Sequence, residues 1–120
     1  MGDLLPRTGP EVNLQVGHCS VSVLPFPEGV GEALGHLGDY TASSKRIRLS
    51  DEMPASEQAE VLLHEVIHAC FDIFGWNERE TLTEEQVCTF VAKGLAQVFQ
   101  ANPILHEKLH QALTNGKDIV

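Results

Sequence analysis

Apolar and polar residues alternate over two short stretches near the start of the chain, Val12 to Val16 and Cys19 to Leu24, which is the period of half-buried β-strands. Gly17 joins the two runs, and Pro25 and Pro27 end the second. A third run, Lys45 to Leu49, sets Ile47 and Leu49 against Arg46 and Arg48 and reads as a strand with a wet basic face. Ala42-Ser43-Ser44 is expected to be the turn that leads into it. Between them a weak helix is expected from Glu28 to His36, opposed by Gly29, Gly31 and Gly35. Three or so strands predict a small sheet.

Beyond Asp51 the period becomes helical. Pro54 and Ser56 are good helix starters, and the pattern continues to Phe74, where Gly75 stops it. Such a helix is about 30 Å long. From Leu62 to Phe74 it is apolar on nearly every side, so a buried spine is expected. A further helix opens at Thr83, with Gln86 placed to complete a capping box, and runs to about Ala101, where Asn102-Pro103 breaks it. A last helix runs from Pro103 to Leu113 and ends at Asn115-Gly116. The elements together predict a single α+β domain over residues 1–120, with residues 1–10 flexible.

The chain has 120 residues, enough for one modest core. Its 17 acidic and 8 basic side chains give a formal charge of -9, which repels polyanions, so nucleic acid is not an expected partner. No run approaches the roughly 18 apolar residues of a membrane span, and the first residues carry no signal-peptide pattern. The expectation is a cytoplasmic protein without a membrane partner. The three cysteines, Cys19, Cys70 and Cys88, form no framework and suit a reducing compartment as small hydrophobes.

The stretch LLHEVIHAC, Leu62 to Cys70, places polar groups inside the apolar helix. Residues four apart share a helix face, so His64 and His68 can direct ring nitrogens at one point, with Glu65 beside them. This HExxH spacing suits zinc, which takes imidazole nitrogen at roughly 2.0–2.1 Å and in catalytic sites keeps one position for water. Glu65 would stand outside the coordination sphere as general base. The competing reading is a pair of hydrogen-bonded core histidines, which would bury three polar groups without a metal. The apolar residues around the motif predict a site of low dielectric. His106-Glu107-Lys108-Leu109-His110 is a second HExxH; Lys108 lies inside it and Gln111 follows, so it is expected to be a solvated helix face.

A third ligand is expected on the helix opening at Thr83, where Glu84 and Glu85 are the candidates. The small residues Cys88, Ala92 and Ala96 are expected to face the HExxH helix, which favours Glu85 over Glu84. The alternative is that both are first-turn acids stabilised by the helix dipole.

From Arg46 to Pro103 the chain resembles small gluzincin-type metallopeptidase-like proteins of phages and prophages, on the strength of LLHEVIHACFDIFG, LTEEQVCTFVAKGLAQVF and the Asn-Pro break. The resemblance implies a minimal zincin: a small sheet on a buried HExxH helix, a ligand-bearing helix alongside, and a C-terminal helix. It also implies Glu85 as third zinc ligand, since Cys88 and Thr89 follow it at the family's spacing. A protein or peptide substrate would lie as an extended strand along the sheet edge. The transition-state-stabilising Tyr, His or Arg of larger relatives has no clear counterpart; Tyr40 and His36 are the stand-ins. The leading expectation is therefore a zinc-dependent metallopeptidase. The alternative is a zinc-stabilised interaction module of phage origin that cleaves nothing, and a third reading is an iron deformylase-like enzyme using Cys19 or Cys88.

Overall fold

The computed structural model describes residues 12–27, 29–30, 35, 37–78 and 81–120. The helix expected over Glu28 to His36 lies largely outside the described residues, as do residues 1–10 and His36 itself.

Four strands, β1 (Val12–Val16), β2 (Cys19–Pro25), β3 (Gly38–Thr41) and β4 (Arg46–Leu49), form one mixed sheet in the order β1-β2-β4-β3. The β1–β2 and β3–β4 pairs are antiparallel, and β2 runs parallel to β4. The alternation read from the sequence decides which face is buried. Leu14, Val16, Val21, Val23, Ile47 and Leu49 all point into the core, while Asn13, Gln15 and Ser20 are exposed on the other side. Strand β3 was not expected. Its sequence, GDYT, has no apolar alternation, and it exists because it pairs with β4 across the turn at Ala42 to Lys45.

Among the described residues three long helices cover the apolar face. The first, α1, spans Ala55–Ile73; α2 spans Glu84–Ala101, and α3 spans Pro103–Asn115. The capping box of α2 forms as expected, with Thr83 Oγ1 accepting from the Gln86 N–H and Gln86 Oε1 accepting from the Thr83 N–H. Helix α1 buries Ala59, Leu62, Val66 and Cys70 against the sheet and its sister helices. It is not buried all round: Leu63, Ile67 and Phe71 are half-buried, and His64 and His68 are exposed. A domain this small has too little chain to cover every side of a long helix.

Two polar side chains tie the ends of this arrangement together. Asn102, at the break between α2 and α3, accepts the Gln15 N–H at 2.7 Å and donates to the Gln15 carbonyl at 2.8 Å and the Val98 carbonyl at 2.7 Å. It thereby occupies the outer edge of β1 as a neighbouring strand would. Gln58, fully buried on α1, accepts the Ile119 N–H at 2.8 Å and so holds the last residues against the helix, with Ile119 buried.

Helix α1 is also held at distances that exclude a side chain. A Cβ at Gly38 of β3 would lie 2.5 Å from Val61 Cγ1, and one at Gly94 of α2 would lie 2.6 Å from Trp76 Cη2 and 3.2 Å from Cys70 Sγ. Trp76 cannot step aside easily, because it stacks on Phe90 and packs edge-on against Phe71. Gly38→Ala should therefore cost about 1–3 kcal/mol of stability through overpacking. Gly94→Ala meets a similar clash but regains roughly 1 kcal/mol of helix propensity, so its net loss should be the smaller. Urea unfolding of both variants checks this; a neutral Gly38→Ala would show that β3 does not sit against α1 as described.

Candidate functional site

The i, i+4 spacing puts the two histidines of α1 together as the sequence predicts. The ring centroids of His64 and His68 are 4.9 Å apart with planes inclined at 69°. Glu65 is one position further round the helix, about 100° on, which turns it towards the packed side; it is 6% exposed. All three line a cleft of about 950 Å³ between α1 and the β3 side of the sheet, a volume suited to an extended peptide or small ligand. The expectation of a low-dielectric site is corrected here: the histidines face open cleft, and only the carboxylate between them is withdrawn from water.

Strand β3 supplies the facing wall through Asp39 and Tyr40. Both are tied into ion-paired clusters. Arg48 donates to both oxygens of Asp39, at 3.1 Å and 2.7 Å, while its guanidinium lies 4.8 Å from the centroid of the buried Phe26 ring. The Tyr40 hydroxyl donates to Asp72 Oδ2 at 2.7 Å, and Lys45 Nζ donates to the same oxygen at 2.9 Å. Lys45 reaches it from a left-handed backbone conformation, φ 51°, in the β3–β4 turn. Burial, and then the bond to Asp72, pushes the Tyr40 phenol well above its usual range and keeps it protonated. The same bond, with the Lys45 ammonium, holds the Asp72 carboxyl below the usual carboxylate range.

The third ligand is not assembled. Among the described residues no three His, Cys, Asp or Glu side chains stand close enough to hold a metal ion, and Glu84 and Glu85 are both exposed in the first turn of α2. The packing argument that favoured Glu85 is overturned, because Cys88, Ala92 and Ala96 are all exposed. Helix α2 instead buries Gly94 and Val98, with the absent side chain of Gly94 permitting the close approach. At 100° per residue, Glu84 lies about 40° from Val98 round the helix and Glu85 about 140° from it. Of the pair, Glu84 is therefore nearer the packed side.

Burial separates the three cysteines. Cys70 is buried, with its thiol pushed up to about 11 by desolvation, Cys19 is half-buried, and Cys88 is exposed, contrary to its expected role as a small hydrophobe. No cysteine joins the histidines among the described residues. In the second motif, His106 and His110 are exposed with parallel rings 6.5 Å apart, as expected of a solvated face. The site residues missed from sequence are Asp72, Asp39 and Arg48. Asp72 alone left a signal, standing four residues beyond His68 and so on the same helix face.

No known protein family, no characterised protein and no solved structure matches the chain.

The depressed Asp72 carboxyl fixes the sign of one pH effect. Its folded-state pKa lies below the unfolded value of about 3.9, so its stabilisation is complete above about pH 5 and is lost as pH falls through the lower folded value. Asp72→Asn should therefore be less stable than the parent at pH 7, by on the order of 1 kcal/mol for a partly exposed cluster. The difference should shrink below about pH 4. Thermal melts of both proteins from pH 3 to pH 7 test this, and a gap that widened in acid would contradict it.

Proposed function

We propose that the chain is a minimal zincin-type, gluzincin-class zinc protein that hydrolyses peptide bonds, acting in the cytoplasm, a host's if it is phage-encoded. The observation that carries the reading is the cleft: two imidazoles 4.9 Å apart on one helix face, a carboxylate buried beside them, and an edge strand opposite. His64 and His68 would hold the metal with a third donor from Glu84 or Glu85. Packing favours Glu84, and the positions of Cys88 and Thr89 favour Glu85. Zinc bound there supplies an acidified water and a Lewis acid for a carbonyl.

The chain's own groups account for the rest. Glu65 takes a proton during attack on the peptide carbonyl and returns it to the leaving nitrogen. The edge of β3 aligns an extended substrate by backbone hydrogen bonds, the cheapest way to grip a peptide whatever its side chains. Tyr40 lines the cleft, but its one O–H is already donated to Asp72, so it would serve a carbonyl oxygen only on releasing that bond. A second reading is the zinc-stabilised module that binds a protein without cutting it.

Zinc content and hydrolysis of a broad peptide library, measured together, separate these readings. The wild-type protein purified without chelator should carry one zinc per chain, and His64→Ala should lose it. Glu65→Gln should keep the metal and lose turnover by a factor on the order of 10² to 10⁴. One of Glu84→Gln and Glu85→Gln should weaken the metal and the other should not; equal retention in both would refute a gluzincin-type site. Fully metallated protein that cuts nothing would leave the interaction module as the function.

The second motif provides the internal control. His106→Ala with His110→Ala should leave zinc content unchanged, because those rings sit exposed and apart on α3. Zinc lost in that double variant and kept in His64→Ala would assign the metal to the wrong helix.

A further inference from the structure

A histidine that ligates a metal must present one bare nitrogen and keep its proton on the other. A carboxylate placed at that proton fixes the tautomer, orients the ring and makes it a stronger ligand. The carboxylates that line the cleft are Asp39, Glu60, Glu65 and Asp72. Asp39 is committed at both oxygens to Arg48. Glu60 stands one turn before His64 but is exposed, and Glu65 is the general base of the reading above. Asp72 differs from all three. Its carboxylate is clamped at Oδ2 by Tyr40 from β3 and by Lys45 from the β3–β4 turn, and neither donor engages Oδ1. It stands one helical turn beyond His68, and helix side chains lean towards the N-terminus, which carries the Asp72 carboxylate back over the turn that bears His68.

We propose that Asp72 is a positioning residue for the metal site, the carboxylate that accepts the outer ring N–H of His68 through Oδ1 while Tyr40 and Lys45 hold Oδ2. The inference rests on the zinc reading of His64 and His68. It gives the Tyr40–Asp72–Lys45 cluster a purpose beyond tying α1 to the sheet: the place of the carboxylate offered to His68 is set from a second element, β3 and its turn. Glu60, with the same spacing from His64 but no such clamp, is a spacing-matched comparison.

Zinc affinity by competition with a chromophoric chelator tests the assignment, read alongside the ring N–H proton of His68 by NMR in zinc-loaded protein. Asp72→Asn preserves size and can still accept from Tyr40 and Lys45, but it loses the charge. It should weaken zinc by about 10–100-fold and shift the His68 ring proton away from the low-field position of a carboxylate-bound imidazole. In Tyr40→Phe, Lys45 still holds the carboxylate, so zinc affinity should stay within about threefold and the ring signal should persist. Glu60→Gln and Asp39→Asn should also stay within that limit, which removes a general charge effect as the cause. Wild-type affinity in Asp72→Asn would overturn the proposal while leaving the zinc reading standing. Equal weakening in Tyr40→Phe and Asp72→Asn, with the ring signal unmoved, would also overturn it and assign the cluster a packing role. Failure of the wild-type protein to bind zinc at all would overturn both.

Discussion

Everything about the cleft depends on how closely helix α1 is gripped. Val61 presses on Gly38 from one side, and Cys70 and Trp76 fill the space over Gly94 on the other, at separations that leave no room for a methyl group. Close packing of this kind transmits strain rather than absorbing it. The spacing between the histidine face and β3 is thus set by two missing side chains. The aromatic group of Phe71, Phe74, Trp76 and Phe90 works as the wedge that keeps α2 in register with α1 just where the chain leaves the helix.

The histidine face itself is a compromise. A helix bearing HExxH must pack tightly enough to fix its rings and yet leave them reachable, and the chain resolves this by burying Glu65 and exposing its neighbours His64 and His68. The cleft is rich in carboxylates, but Asp39 on β3 and Asp72 on α1 are each matched with a cation brought by β4 or its turn. The net charge of the chain is strongly negative, so without Arg48 and Lys45 the mutual repulsion of these acids would work against closing β3 onto α1.

Much of this was legible in the residues. The period of two located β1, β2 and β4, and the period of 3.6 with its caps located α1, α2 and α3, because each of those signals is local. The pair His64 and His68 followed from helix geometry alone. What the pattern could not show depends on contacts between distant segments. Strand β3 has only four residues and becomes a strand by pairing with Arg46 to Leu49. The stripe of Cys88, Ala92 and Ala96 promised a close helix contact by size, whereas the approach is made through Gly94, whose lack of a side chain says nothing about direction until Trp76 is seen above it. Asn102 was legible as a helix breaker and not as a partner for Gln15, 87 residues earlier in the chain.

That same asparagine makes the two margins of the sheet unequal. Backbone groups at the rim of a sheet are adhesive, and proteins that leave them bare are prone to stacking into fibrils. With Asn102 occupying the amide and carbonyl of Gln15, and Gln97 accepting the N–H of Gly17, the Gln15 end of one rim is already satisfied from within the molecule. Sheet growth is thereby opposed at that end of β1. Two copies pairing along β1 would first have to displace the Asn102 amide from Gln15.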